Sequence, residues 1–179
     1  AHYDCSPTDE IAAFLKGLLE WSCAPDCIHV MWCTWPMLAR GDCHQVMRAC
    51  GFEPKTGGAW GKLVKDGDKI AMGGGYIYRS ASEPWLIGTR GAPKSAVKDV
   101  VNLILDDGLL NEGLVLAPRR EHSRKPDTMI EAIERQFPRA ARRLEIFARA
   151  ERPGWDCWGD EVGKFPAVNC GKGAAPLVS

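Results

Sequence analysis

Apolar residues recur at helical spacing in the first part of the chain. The repeat consists of Ile11, Phe14, Leu15, Leu18 and Leu19. Intervals of three and four residues place these side chains on one face, which predicts an amphipathic helix with a buried stripe. Ser6, Pro7 and Asp9 stand before it in the order of a helix start. We therefore expect Ser6 as the N-cap, Pro7 as the first helical residue and Asp9 as the end of a capping box.

Short apolar runs predict the strands. Residues 28–35 are rich in strand-forming side chains and stop at Pro36, and residues 57–65 alternate through Trp60 and Leu63. The other predicted strands are 84–89, 114–117 and 144–148. We expect residues 144–148 to be the last strand of the domain.

Two more helices follow from the same pattern. One is predicted through Leu38, Val46 and Met47, with its end at Gly51, a residue typical of helix C-termini. The other opens at Pro126. Its predicted buried stripe is Met129, Ile130, Ile133 and Phe137.

The predicted strands and helices alternate, which indicates a three-layer α/β domain with a mostly parallel, Rossmann-like sheet and helices on both faces. We assign residues 1–165 to this domain and residues 166–179 to an irregular tail. Ligands bind such sheets outside the carboxyl ends of the strands. Three segments should converge there: the loop after Trp35, the stretch 119–125 and the loop after Phe147.

Composition and net charge exclude some classes of function. The 179 residues suffice for one domain, and 45% hydrophobic with 26% charged residues is ordinary for a globular protein. With 23 basic and 23 acidic side chains the net charge is zero, which excludes a strongly basic nucleic-acid binder. Residues 119–149 nevertheless carry a net charge of +4. That stretch is either a phosphate-binding stripe or a solvated helix face.

The cysteines and glycines offer weaker signals. Eight cysteines include a cluster with histidines from Cys23 to His44, whose spacing lacks the paired knuckle of a zinc site. We interpret them as reduced thiols and expect no metal; a small zinc-stabilised structural protein is the alternative. Gly73–Gly75 lacks the spacing of a phosphate-binding loop and predicts a turn. With no leader and no membrane-spanning run, we expect a cytoplasmic protein.

Several short motifs occur in a collinear order. They are Arg-Arg-Glu-His-Ser-Arg-Lys-Pro-Asp (119–127), Ile-Glu-Arg (133–135), Leu-Glu-Ile-Phe-Ala-Arg (144–149), Arg-Pro-Gly-Trp-Asp-Cys-Trp-Gly-Asp-Glu (152–161) and, upstream, Leu-Ile-Gly-Thr-Arg-Gly-Ala-Pro-Lys (86–94). Together they resemble the S-adenosylmethionine-dependent N6-adenine methyltransferases of the MT-A family, over essentially residues 2–161. The resemblance implies a circularly permuted Rossmann-like fold, in which residues 144–147 form the strand beside the cofactor. It also implies a bacterial or phage-encoded enzyme.

The resemblance implies a cofactor site for S-adenosylmethionine. Lys125 and Arg149 would contact the methionine carboxylate and the ribose, because a carboxylate needs charged or amide donors. Asp160 or Glu161 would accept hydrogen bonds from the adenosine, although the family often has Asn where Asp160 stands. Glu151, two residues after Arg149, completes the implied cofactor set.

The resemblance also implies a nucleic-acid partner, more often DNA than RNA. The substrate-binding residues that we expect are Tyr3, Trp35, Arg79, Glu83, Arg90, Lys94, Arg119 and Arg120. The cations would contact phosphates, and Trp35 would stack on the target base or plug the cleft. Residues 79–83 read Arg-Ser-Ala-Ser-Glu where relatives read Arg-Asn-Ala-His-Glu, which changes the hydrogen bonds available near the base.

The family's catalytic signature, Asp-Pro-Pro-Trp, does not occur in the 179 residues. In the family it precedes the segment that matches His2-Tyr3, and the chain starts at Ala1 rather than Met, so we expect the motif to lie upstream. The function predicted from the resemblance is methyl transfer to the N6 amino group of adenine in DNA. The alternative functions are a non-catalytic nucleic-acid-binding homologue and an RNA adenosine N6-methyltransferase. The resemblance also allows a homodimer, or a heterodimer with a homologous subunit.

Overall fold

A computed structural model describes residues 6–64, 69–98, 100, 103–104, 117–118 and 125–167 of the chain. The helices within this part are α1 (Thr8–Ser22), α2 (Trp35–Arg40), α3 (Asp42–Ala49) and α4 (Thr128–Gln136). The strands within it are β1 (Cys27–Trp32), β2 (Glu53–Leu63), β3 (Ser82–Arg90), β4 (Leu103–Ile104), β5 (Ala117–Pro118), β6 (Leu144–Ile146) and β7 (Asp156–Trp158).

The main sheet has the order β1-β3-β2-β4, and β5 also pairs with β2. β3 runs antiparallel to both of its neighbours, while β4 and β5 run parallel to β2. β1 and β2 therefore point in the same direction, and β3 lies between them in the opposite one. A short parallel ribbon of β6 and β7 is separate from this sheet.

Helices pack on both faces of the sheet, as the sequence predicts. On β3 the buried side chains of Trp85 and Leu86 point to opposite faces because strand residues alternate. Leu86 belongs to the larger core with α1 and α3, whereas Trp85 packs against Met129 of α4. Burial of these apolar faces stabilises the layered arrangement.

The mixed α/β class is confirmed. The prediction of a mostly parallel sheet is wrong, because the two longest strand pairs, β1–β3 and β2–β3, are antiparallel. β2 and β3 follow each other as a hairpin, and a hairpin requires antiparallel strands. Alternation of helices and strands does not reveal that β3 inserts between β1 and β2. The circular permutation stays a prediction.

The first helix follows its predicted stripe, with Leu15 and Leu19 buried. Its predicted start is displaced. Pro7 is the N-cap, the first helical residue is Thr8 and no side chain caps the helix. The Asp9 carboxylate instead accepts a hydrogen bond of 2.6 Å from the Gln45 side chain of α3. This tertiary contact replaces the predicted capping box.

The first strand and second helix also differ from their predicted bounds. β1 ends at Trp32, and the Thr34 hydroxyl accepts the backbone N–H of Met37 as the N-cap of α2. Pro36 thus lies in the first turn of a helix, where its missing N–H costs nothing. The single predicted helix is divided into α2 and α3 at Gly41, whose φ of 85° interrupts the helical backbone.

The remaining strands are mostly confirmed. Residues 57–65 and 84–89 fall largely within β2 and β3, and Gly73–Gly75 lies in the connection between them. Residues 144–148 form only the short β6, and β7 follows it, so residues 144–148 are not the last strand. Of the predicted strand 114–117, only Ala117 lies within the described residues. The tail from residue 168 lies outside them.

Candidate cofactor and nucleic-acid site

Three charged side chains converge where β1 and β2 end and β3 begins. Glu83 lies opposite Trp60 in the β2–β3 register, and Lys62 follows two residues later on the same face. The Lys62 ammonium lies 2.9 Å from the Glu83 carboxylate. Lys125, just before α4, forms a second ion pair with Glu83. One carboxylate is therefore shared by two cations, and we call these three residues the Glu83 cluster.

Aromatic rings surround the Glu83 cluster. The Lys125 Nζ lies 5.5 Å from the centroid of the Trp32 ring, and the Lys62 Nζ lies 5.2 Å from that of Trp60. The two indoles meet edge to face at 6.2 Å. The negative faces of the indole rings stabilise the positive charges of Lys62 and Lys125.

Burial, together with the positive charges of Lys62 and Arg149, lowers the pKa of Lys125 to about 8. The ion pair with Glu83 acts in the opposite direction, because a neighbouring carboxylate favours the ammonium form. We therefore take Lys125 as protonated at neutral pH. It offers a partly desolvated positive charge, which interacts more strongly with an anion than a solvated lysine does.

A cavity of about 1940 Å³ opens beside α1, β1, α4 and the β6–β7 ribbon. We call it the cleft. Its lining includes Lys94, Lys125, Phe147, Arg149 and Trp158. A cleft of this size can hold a molecule with both charged and flat parts, because its wall supplies cations and rings.

Arg149 follows β6 and faces Glu161. Its Nε donates a hydrogen bond of 2.6 Å to the Glu161 carboxylate, and its guanidinium lies 5.4 Å from the centroid of the Phe165 ring. Hydrogen bonds from Lys164 and from Arg149 lower the pKa of Glu161. Two residues that the sequence assigned to the cofactor therefore lie in contact.

A second ionic network holds the turn after β6 against α4. The Arg152 guanidinium, which is only 8% exposed, donates to Asp127 and to Glu145, each at 2.8 Å. A buried guanidinium is stable only when such partners compensate its lost hydration. Asp127 adjoins Lys125-Pro126, so this network positions Lys125 relative to Arg149.

Three partly exposed rings form a cluster at the turn after β6. Phe14 stacks on Trp158 at 5.4 Å, and Phe147 lies 6.1 Å from Trp158 and 6.2 Å from Phe14. Phe147 has a φ of 59°, which is uncommon for a residue other than glycine and marks a constrained turn. Sequence analysis placed Phe14 in the buried stripe of α1 and missed this cluster.

The structure brings part of the predicted substrate set together. Trp35 donates its indole N–H to the Ser82 hydroxyl at 3.0 Å, next to Glu83. The Arg79 guanidinium donates to the Gly73 carbonyl at 2.9 Å in the β2–β3 connection. Lys62 was missed, although its position two residues after Trp60 in an alternating strand is the signal that could have found it.

Other predicted residues lie apart from the Glu83 cluster. Arg90 is at the opposite end of β3, paired in register with Cys27, and donates to the Cys50 carbonyl at 2.6 Å. Asp160 and Glu151 are exposed near Arg149. The residues that fall outside the described part are Tyr3, Arg119 and Arg120.

The described cysteines are free thiols, among them Cys23, Cys27, Cys33 and Cys43. Burial raises the pKa of Cys33 to about 12 and that of Cys27 to about 11, so neither is a thiolate at neutral pH. Within the described residues, no three histidine, cysteine or acidic side chains are arranged to hold a metal ion. Nor does this part contain a helix with the length and apolar character needed to span a membrane.

Comparison with known proteins gives a family and two relatives. Residues 8–161 match the family described as MT-A70. The chain is 32% identical over 143 residues to the type II methyltransferase M.MunI of Mycoplasma sp. The aligned segment covers 78% of this chain and 52% of that protein. It is 34% identical over 99 residues to the N(6)-adenosine-methyltransferase MT-A70-like protein of Arabidopsis thaliana, covering 54% of this chain and 13% of that protein. The chain thus spans about half the length of the first relative and a small part of the second.

Proposed function

The chain belongs to the MT-A70 family, and from this premise we propose that it transfers a methyl group from S-adenosylmethionine to the N6 amino group of adenine in DNA. The observation that carries the proposal is that Lys125 and Arg149 line one cleft. A methionine carboxylate needs such cationic donors, and a partly dehydrated cleft strengthens the attraction.

The residues around the cleft fit the proposed cofactor chemically. Lys125 and Arg149 suit an anionic carboxylate and hydroxyl groups. Glu161, which accepts a hydrogen bond from Arg149, and the neighbouring Asp160 are outside the lining of the cleft; their carboxylates suit donors such as adenosine hydroxyl and amino groups. The rings of Phe147 and Trp158, inclined to each other by 60°, each offer an apolar face to a purine. When bound, the cofactor supplies an electrophilic methyl group on a sulfonium, a good leaving group.

The Glu83 cluster links the proposed cofactor site to the proposed base site. Lys125 faces the cleft, and its ion-pair partner Glu83 lies beside Ser82, which holds the Trp35 indole. We assign Lys125 to the carboxylate of the cofactor, and Glu83 and Trp35 to the target base. The ion pair would keep both residues oriented before either ligand binds.

The proposed nucleic-acid contacts are made by cations without base preference. Lys94 lines the cleft, and Arg79 lies in the exposed connection between β2 and β3. Tyr3 remains assigned by resemblance, and Arg119 and Arg120 by their place in the basic stretch 119–149. Arg90 remains in the proposed phosphate-binding set, at the other end of the sheet.

A non-catalytic nucleic-acid-binding homologue is the second candidate. It is favoured by one observation, the lack of an Asp-Pro-Pro-Trp motif within these 179 residues. The coding sequence upstream of Ala1 separates the two candidates. An Asp-Pro-Pro-Trp motif there supports the enzyme, whereas an uninterrupted upstream sequence without it supports the binding homologue.

Isothermal titration calorimetry with S-adenosylmethionine and with S-adenosylhomocysteine tests the cofactor assignment directly. The 179-residue protein should bind both with a stoichiometry near one, because the carboxylate and adenosine contacts are common to the two ligands. Absence of binding by both compounds to folded protein would refute the assignment. DNA is distinguished from RNA by methylation of matched adenine-containing oligonucleotides with the full-length gene product.

A further inference from the structure

The connection between β2 and β3 ends in an exposed tip of three large side chains. Tyr76 is 100% exposed, Ile77 84% and Tyr78 87%. Three consecutive exposed apolar or aromatic side chains are unfavourable in water and are rare in a surface that binds nothing. We call residues 75–78 the tyrosine tip.

Backbone contacts hold the tyrosine tip in one conformation. The Gly73 N–H donates to the Ser80 carbonyl at 2.7 Å, and Arg79 donates to the Gly73 carbonyl at 2.9 Å. A Cβ on Gly75 would lie 1.9 Å from the Tyr78 carbonyl oxygen, so only glycine fits this close turn. The two tyrosines are therefore presented by an ordered turn, which lowers the entropy cost of binding.

The tyrosine tip projects from the same end of the sheet as the Glu83 cluster. The β2–β3 hairpin is closed at that end, where Gly61 pairs with Ser82. Trp35, bound to Ser82, lies at this end as well. The connection from residue 64 to residue 81 contains Lys65, Asp66, Asp68, Lys69 and Arg79, and both acidic residues precede the tip, whereas Arg79 directly follows it. Exposed rings directly beside an arginine suit bases joined by phosphates.

We infer that Tyr76 and Tyr78 are stacking platforms for unpaired bases of the nucleic acid whose adenine enters the site at the Glu83 end of the sheet. This inference rests on the proposed function. Every base has a flat face, so stacking adds affinity with little sequence preference. Arg79 would contact the backbone phosphates between the stacked bases. The tip would thus bind the nucleotides that flank the target adenine.

The test uses the 179-residue protein and a fluorescein-labelled single-stranded DNA of 12 nucleotides with one central adenine. Fluorescence anisotropy gives Kd for wild type, for the double variant Tyr76→Ala/Tyr78→Ala and for Tyr76→Phe/Tyr78→Phe. We expect the alanine variant to weaken binding by about 5- to 150-fold for each base that loses its stacking partner. The phenylalanine variant should stay within about twofold of wild type, since stacking needs the ring and not the hydroxyl.

Two controls make the result specific. Ile77→Ala removes the exposed aliphatic side chain of the tip, which cannot stack on a base, and should leave Kd within about twofold of wild type. Oligonucleotides with abasic sites beside the adenine should weaken wild-type binding and leave the binding of the alanine variant nearly unaltered, because the stacking partner is already absent. The dependence of log Kd on log salt should stay the same, since tyrosine carries no charge.

Three outcomes would overturn the inference. If the alanine variant binds as tightly as wild type, the tip does not contact bases, while the proposed function stands. If the variant keeps its DNA affinity but changes the oligomeric state in light scattering, the tip is a protein interface. If wild type binds S-adenosylmethionine and no oligonucleotide, the nucleic-acid part of the proposed function fails as well.

Discussion

Lys125 and Glu83 lie 42 residues apart in the chain and form a part-buried ion pair at one end of the sheet. The pair joins the segment before α4 to the start of β3, and so connects the residue proposed for the cofactor to the residue proposed for the base. Lys62 contacts the same carboxylate at 2.9 Å. A displacement of Lys125 or of Glu83 would therefore break the ion pair that joins the proposed cofactor site to the proposed base site.

Removing the Glu83 carboxylate should destabilise the protein. In Glu83→Gln, Lys62 and Lys125 lose their ion pairs with Glu83, and we expect the free energy of unfolding to fall by about 1–3 kcal/mol. The double variant Glu83→Gln/Lys125→Met should recover part of this loss, because one uncompensated charge is gone. Urea denaturation of the wild type, the two single variants and the double variant measures the coupling. Additive effects of the two substitutions would contradict a direct interaction.

Arg149→Ala should weaken binding of S-adenosylmethionine by about 1.5–3 kcal/mol, the usual contribution of a charge-assisted hydrogen bond. Titration calorimetry measures the change. The matched control is Arg48→Ala, which removes an exposed arginine from α3 outside the lining of the cleft. Equal affinities of Arg149→Ala and wild type would remove Arg149 from the cofactor site.

His29 should make stability depend on pH in the acidic range. Burial lowers the pKa of His29 to about 4 from an ordinary 6.5, and its Nδ1 has no hydrogen-bond partner among the described residues. The unfolded chain binds the proton more readily, so stability is retained above pH 6.5 and falls as the pH drops towards 4.

The difference in unfolding free energy between wild type and His29→Leu should therefore shift by up to about 3 kcal/mol between pH 7 and pH 4, against the wild type. Urea denaturation at several pH values provides the measurement. Carboxylates titrate in both proteins and cancel in the difference. Parallel stability curves for the two proteins would show that His29 does not titrate on unfolding.

The 179-residue chain should not methylate DNA or RNA by itself. It contains no Asp-Pro-Pro-Trp motif, and in the family this motif holds the target amino group in line with the methyl donor, on which transfer depends. The assay is transfer of a labelled methyl group to adenine-containing oligonucleotides. Binding of the cofactor in the same preparation shows that the protein is folded. Robust transfer would mean that the catalytic groups lie elsewhere in this chain.

Arg90→Ala and Lys94→Ala should differ in their effect on the stability of the protein. Arg90→Ala removes the hydrogen bond to the Cys50 carbonyl at the end of α3 and the contact with the Phe52 ring, which should cost about 1–2 kcal/mol of stability. Lys94→Ala should leave stability unchanged. Each of the two substitutions should weaken binding to all oligonucleotides similarly and lower the salt slope by about one unit.

Thermal unfolding and anisotropy at several salt concentrations measure the two effects of the Arg90 and Lys94 substitutions. In the double variant Arg90→Ala/Lys94→Ala, cofactor affinity should equal that of wild type. If the double variant retains both the oligonucleotide affinity and the salt slope of wild type, the phosphate contacts lie elsewhere.

The sequence by itself determined the elements whose signal is local. The three- and four-residue spacing of Leu15 and Leu19 predicts α1, and the alternation at Trp60 predicts β2, because each depends only on neighbouring residues. The collinear motifs from residue 86 to residue 161 determined the family. Among the proposed site residues, Lys125 and Arg149 were found in this way, and Glu83 was found from the motif at residues 79–83.

Only the tertiary structure decided how these elements meet. The insertion of β3 between β1 and β2 depends on pairing between distant segments, which no local pattern records. The contacts of Glu83 with Lys62 and Lys125, and the stacking of Phe14 on Trp158, join residues that are far apart in the chain. Periodicity shows which face of an element is apolar, whereas long-range packing selects what that face contacts.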